Sequence, residues 1–134
     1  MDAPTVADEP MMTLMVTVHR VPVGATPFAT RIEIPFEGVA TSPHWDGERR
    51  VTGVDHLTVS NDGVAAIDVH TVVTGDDETI IYRGLGRSGG PNGLREGVTF
   101  ETPCERLSWL NHTVAVGTGD LDGDQLTIRL YAIT

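Results

Sequence analysis

No stretch of this chain repeats apolar residues at helical spacing over ten or more positions; short runs alternate apolar and polar residues between turn signals instead. That pattern is the tightest constraint on the fold, because a period of two sends successive side chains to opposite faces of a strand. Leu14, Val16 and Val18 alternate with Met15, Thr17 and His19. Ile32, Ile34 and Phe36 form an apolar face in the next run, where Pro35 marks an edge or a bulge. Residues 51–60 and 64–74 are β-rich and joined by Asn61-Asp62-Gly63, the strongest hairpin signal in the chain. Residues 79–83, 107–116 and 125–133 continue the series, with turns at Gly75-Asp76-Asp77-Glu78 and Leu121-Asp122-Gly123-Asp124. Val21-Pro22-Val23-Gly24 reads as a further turn. Residues 38–50 read as a polar connection, either covering a pocket mouth or simply lying on the surface. About eight strands in sequential order predict an all-β, single antiparallel meander barrel, whose closure removes exposed edges; a two-sheet sandwich is the alternative.

The 134 residues suffice for one core, with residues 1–11 as a disordered N-terminal tail, residues 12–134 as the single domain, and Met11 and Met12 as alternative starts. A formal net charge of −10 argues against nucleic acid or an anionic membrane as partner. All nine basic residues are Arg, which excludes Schiff-base lysine chemistry and the lysine of a phosphate-binding P-loop. Cys104 is the one cysteine, so neither a disulfide nor a thiolate-based zinc site can form within one chain. The apolar run 14–18 is too short and too polar-flanked for a signal peptide or a membrane span, and a cytoplasmic location is expected.

Two glycine motifs lack the setting their chemistry needs. Gly84, Gly86 and Gly89 match GxGxxG, but Gly90-Pro91-Asn92-Gly93 prevents the helix that would hold a pyrophosphate. Gly86-Arg87-Ser88-Gly89-Gly90 matches a nucleophile elbow without its strand-turn-helix. Residues 84–97 are expected as a flexible rim loop or lid. Asp120, Asp122 and Asp124 fit a hairpin tip better than a calcium loop. The five histidines form no His-x-His or HExxH pattern, so no metal and no cofactor is expected; Asp55, His56, Asp68 and His70 are the minority alternative as metal ligands.

The candidate catalytic residues lie on the 51–74 hairpin. Asp68 and His70 are two apart and share a strand face, and Asp55 shares its face with Leu57 and Val59. Interior burial of such a set would tune a general acid and base; exposure on the outer wall would leave an ion pair of little worth. His56, Arg83, Trp109 and Asn111 are the candidate substrate-binding residues. Arg83 suits an anionic group, and Trp109 with Asn111, on one face of an expected strand, suits a pocket wall with an apolar and a hydrogen-bonding end.

The blocks Phe36-Glu37-Gly38, Gly53-Val54-Asp55-His56, Ile67-Asp68, Gly84-Leu85-Gly86-Arg87, Leu107-Ser108-Trp109-Leu110-Asn111 and Leu130-Tyr131-Ala132-Ile133 resemble, in order, those of the domain of unknown function 3237 family. The resemblance implies a lipocalin-like antiparallel barrel that associates in pairs, and a homodimer is expected. His56 stands where the family commonly has Trp, and His70 where it has Arg. From the residues, the expected function is a cofactor-independent cyclase, isomerase or lyase acting on a small, largely apolar metabolite. A carrier barrel without chemistry, or a lactone or epoxide hydrolase with an Asp-activated water, are the alternatives.

Overall fold

The computed structural model describes residues 2–134. Its strands are β1 (Met12–Val18), β2 (Val21–Ala25), β3 (Ala29–Thr41), β4 (Arg49–Ser60), β5 (Ala65–Gly75), β6 (Glu78–Gly90), β7 (Gly93–Glu101), β8 (Val114–Asp122) and β9 (Gln125–Ala132). A short 3-10 helix, Glu105–His112, joins β7 to β8. Eight strands close an antiparallel barrel in the order β1-β9-β8-β7-β6-β5-β4-β3, with β3 returning to β1. The meander expected from the alternating pattern is therefore the observed architecture.

The strand faces follow from that register. Leu14 and Val16 on β1, Val51 on β4, Val69 and Val73 on β5, Ile80 on β6, Val98 on β7 and Leu130 on β9 are all buried in one core. Tight turns carry the hairpins where the sequence marks them. Asp76 and Asp77 both take positive φ, 52° and 59°, the backbone twist that a two-residue hairpin between right-twisted strands favours.

Five segments differ from expectation. Residues 21–24 form strand rather than turn: β2 pairs with the first half of β3, outside the closed ring, with a register shift between Pro22 and Gly24. Residues 84–97 form no long loop or lid; only Pro91 and Asn92 are turn. The rest are the end of β6 and the start of β7, paired directly from Ile81↔Glu101 through Arg87↔Arg95. Residues 107–112 are helix rather than strand, because Leu107 and Leu110 are spaced by three and bury on the same face of a three-residue turn. Of residues 38–50, residues 38–41 and 49–50 belong to β3 and β4, and the loop left between them lies on the surface at the helix end of the barrel, away from the cavity, where the Arg106 guanidinium donates to the His44 carbonyl at 2.8 Å. Finally, the backbone N–H groups of Thr5, Ala7 and Met11 donate to the carbonyls of Thr134, Ala132 and Leu130. That part of the expected tail lies along β9 and the C-terminus, and Met1 lies outside the described residues.

The two barrel ends are closed differently. At the helix end, Leu107 and Leu110 cap the core, and Glu78 ties the base together through Arg49 at 2.7 Å, Arg106 at 2.7 Å and the Cys104 thiol at 2.6 Å. The Arg49 guanidinium also lies 4.5 Å from the centre of the Trp45 ring, a cation–π contact inside the base. At the opposite end the β6–β7 and β8–β9 turns leave an opening, and the cavity lies beneath it.

Candidate active site

A cavity of about 360 Å³ occupies the open half of the barrel, within the size range of small-molecule sites. Its walls are apolar, with Ile34, Phe36, Leu57, Ile67, Val69 and Ile128 among them. Two carboxylic acids interrupt that lining, Asp55 from β4 and Glu96 from β7, and Arg20 and Ser88 stand among the residues that border it.

Asp55 faces the lumen because β4 places it one register step from Leu57, directly opposite Ile34 on β3 and Val69 on β5. One of its oxygens accepts the backbone N–H of Asp68 at 3.3 Å. Burial pushes its carboxyl up from 3.8 to about 6, against the smaller opposing effects of that hydrogen bond and of His56. Glu96 is more deeply enclosed, at 5% exposure. Burial, and secondarily the charge of Asp55, push its carboxyl from 4.5 to about 7. Its Oε1 is buried and has no hydrogen-bond partner among the described residues.

Deeper in the wall, the Tyr82 and Thr71 hydroxyls are likewise buried, on directly paired positions of β6 and β5. Burial raises the Tyr82 phenol far above its ordinary range, with the charges of Glu96 and Asp55 adding to the shift. The arrangement is two acids that ionise near neutral pH with spare hydrogen-bonding capacity around them. Such groups can hold or move a proton on a bound molecule.

Of the expected site residues, the cavity takes Asp55 alone. Asp68, His70 and Arg83 sit on the outer wall, since even-numbered residues of β5 and odd-numbered residues of β6 point to solvent in this register. There the Asp68 carboxylate accepts from Arg83 at 3.3 Å and lies 3.3 Å from the His70 ring. Arg83 is the main cause that holds the Asp68 carboxyl below its ordinary value. His56 is also outside, 2.6 Å from Glu33, and its ring meets that of His70 edge to face at 5.7 Å. Asp68→Asn and His70→Ala are therefore each expected to change stability in urea by under about 1 kcal/mol, the usual worth of an exposed pair.

Trp109 and Asn111 are likewise not walls of the cavity. Trp109 is 37% exposed and packs against the His44 ring, tilted by 55° with the ring centres 4.7 Å apart. Asn111 is a loop clamp: its amide oxygen accepts the Thr102 backbone N–H at 2.8 Å and its amide nitrogen donates to the Thr102 carbonyl at 3.1 Å. Both belong to the helix that closes the far end of the barrel. The expected metal alternative fares no better. Among the described residues no group of three or more His, Cys, Asp or Glu side chains is placed to hold a metal ion.

Glu96 is the residue that the sequence reading missed, and its signal was present. Leu94, Val98 and Phe100 alternate along β7 and face inward, so Glu96 is an acid on an apolar strand face. Assigning residues 84–97 to a loop hid that alternation.

No curated protein matches the chain. Similar folds occur in a β-barrel-like protein from Acinetobacter baumannii AYE, at 23% identity and a TM-score of 0.85, covering 100% of this chain and 98% of that one. A protein of unknown function from Clostridium acetobutylicum ATCC 824 matches at 19% identity and a TM-score of 0.85, covering 100% and 99%. An enzyme from Penicillium herquei matches at 16% identity and a TM-score of 0.71, covering 97% and 96%. At these identities the likeness is one of fold. The family model described as protein of unknown function DUF3237 matches residues 7–86, more than half of the chain, and the chain belongs to that family.

Proposed function

We propose that the chain is a cofactor-independent acid–base enzyme that isomerises, cyclises or eliminates water from a small, largely apolar, uncharged metabolite held inside the barrel. The observation that carries this reading is the presence of Asp55 and Glu96 in one otherwise apolar cavity, both titrating near neutral pH. Carboxyls that titrate at about 6 and about 7 lose their protons in turn, so between those values one holds a proton while the other can accept one. The protonated acid donates to a carbonyl or hydroxyl oxygen of the substrate, and the carboxylate removes a proton from the neighbouring carbon or hydroxyl. The apolar wall orients the molecule, a contribution of several kcal/mol in well-aligned systems, and each positioned acid or base adds roughly 10²-fold or more. An anionic substrate would be repelled by the carboxylate; a neutral one is not. That a protein of similar fold is an enzyme agrees with this reading.

The test uses a neutral cyclic ketone, 2-tetralone, in deuterated buffer near neutral pD, with loss of the proton next to the carbonyl followed by NMR. The wild type is expected to accelerate exchange over buffer, and Asp55→Asn and Glu96→Gln each to lower the enzyme rate by about 10². Asp120→Asn, on the exposed hairpin, should leave it unchanged. Line broadening that reports binding, with exchange no faster than in buffer, favours a carrier barrel and sinks the enzyme reading. Acceleration that survives both substitutions does the same.

A further inference from the structure

We infer that Gly84 and Gly117 are positioning residues that form a seat for the Glu96 side chain and hold its carboxyl in the barrel wall facing the cavity, with Gly86 admitting β6 against the β7 backbone beside it. The inference builds on the reading of Glu96 as one of the acid–base pair. Three strands meet at this point. Gly86 on β6 and Gly117 on β8 are the direct register partners of Glu96 on β7, and Gly84 is two residues from Gly86 on the same inward face.

The spacing is too close for any other residue. A Cβ on Gly84 would stand 2.4 Å from Glu96 Oε2 and 2.9 Å from its Cδ. On Gly117 it would stand 2.6 Å from Glu96 Cγ and 2.8 Å from Oε1. On Gly86 it would meet the Arg95 carbonyl oxygen at 1.9 Å and the Glu96 Cα at 2.7 Å, so the missing side chain lets β6 approach the β7 backbone beside the acid. None of the three has the positive φ that would explain glycine by backbone conformation. Clearance for Glu96 is the remaining reason at Gly84 and Gly117, and close strand approach at Gly86. Gly84 and Gly86 are the first two glycines of the GxGxxG match, so the motif has a structural meaning unrelated to phosphate.

The seat controls where the acid points. Glycine on both sides lets the carboxyl lie along the wall, where it is buried and its Oε1 is unpartnered. Filling either side must displace it toward the opening of the cavity or force the strands apart.

Gly84→Ala is tested in two backgrounds, wild type and Glu96→Ala, with thermal midpoints, and the Glu96 carboxyl is titrated by carbon-13 NMR. With Glu96 present, Gly84→Ala is expected to lower the midpoint by about 5 °C or more. With Glu96→Ala, where the clashing atoms are gone, the loss should shrink below about 2 °C. The Glu96 pKa should fall by about 1 unit toward that of an exposed carboxyl, and ketone exchange should drop about tenfold or more. Equal destabilisation in both backgrounds, or an unmoved Glu96 pKa, overturns the seat. If Gly84→Ala alone does not fold, the Glu96→Ala background decides: folding there supports the seat, and failure there overturns it. The midpoints and the titration need no turnover. A seat that passes beside a wild type that never accelerates exchange would condemn the proposed enzyme and leave the seat standing.

Discussion

Folding stability of this chain is expected to fall as the pH rises from about 4.5 to about 8, with about 3 kcal/mol of the fall due to Glu96, and Glu96→Gln is expected to remove that share of the slope. Glu96 carries the effect. Its carboxyl titrates at about 7 in the folded chain against 4.5 for the ordinary group, so the folded state binds more protons than the unfolded state throughout that window. Stability falls with pH wherever the unfolded state binds fewer protons, and a shift of this size corresponds to about 3 kcal/mol at 1.36 kcal/mol per pH unit. Asp55, raised from 3.8 to about 6, works in the same direction between those values, but its partial exposure reduces its share.

Other groups are separated by window or by mutation. Glu78 is depressed to about 2 by Arg106, the Cys104 thiol and Arg49, so it adds stability as pH rises from about 2 to 4.5, below the range in question. The exposed His56, raised mainly by Glu33, favours the folded state below its own pKa and loses that effect as pH rises through it. That sign matches Glu96, which is why the Glu96→Gln comparison is needed. Urea denaturation at half-unit pH steps measures both slopes. A wild-type stability that rises or stays level from pH 5 to pH 8 would show that Glu96 is not held as a buried acid. The same substitution should raise stability at pH 8, because it replaces a desolvated carboxylate with a neutral amide.

The second large effect belongs to the closed end. Leu107→Ala and Leu110→Ala are each expected to cost about 2–5 kcal/mol, the range for truncating a fully buried leucine. Their exposures are 1% and 2%, and both join the single core. Asn111→Ala should cost about 1–3 kcal/mol, because it strips partners from the Thr102 N–H and carbonyl in a partly buried loop. Trp109→Ala should cost less than either leucine change despite removing the larger side chain, since the indole is 37% exposed. Equilibrium urea unfolding of the four variants provides the ranking. A Trp109 cost above both leucine costs would show that the helix packs through its aromatic face instead.

The contrast between these leucines and the tryptophan shows where one-dimensional reading stops. A run such as Leu107-Ser108-Trp109-Leu110-Asn111 alternates well enough to pass for strand, yet it also carries leucines three apart. The burial available at the end of a closed barrel settles the choice for the helix, since Leu107 and Leu110 are its buried residues. Local alternation cannot weigh that burial, because the core that receives the leucines is assembled from strands along the whole chain.

The same limit applies to the outer wall. Asp68 and His70 had to share a face, and they do, but which face was interior depended on how β5 registered with β4 and β6. A one-residue difference in register exchanges every side chain between core and solvent. Val69 and Ile67 had the stronger claim to the core, and they left Asp68 and His70 outside. Asp55 was legible because Leu57, its companion two residues on, is apolar.

By itself, the sequence determined the class of the fold: period-two patterning, Asn61-Asp62-Gly63 and the other tight turns specify consecutive antiparallel strands, since side-chain alternation and turn chemistry are local properties. It also ruled out lysine-dependent chemistry and an intrachain disulfide, because the chain has no lysine and a single cysteine. Only the tertiary structure decided which acids share a cavity. Glu96 on β7 shares a cavity with Asp55 on β4 through barrel closure, while Gly84 and Gly117 reach it through the register of the neighbouring strands β6 and β8. Burial, the physical cause of both raised pKa values, exists only once those strands have surrounded the carboxyls.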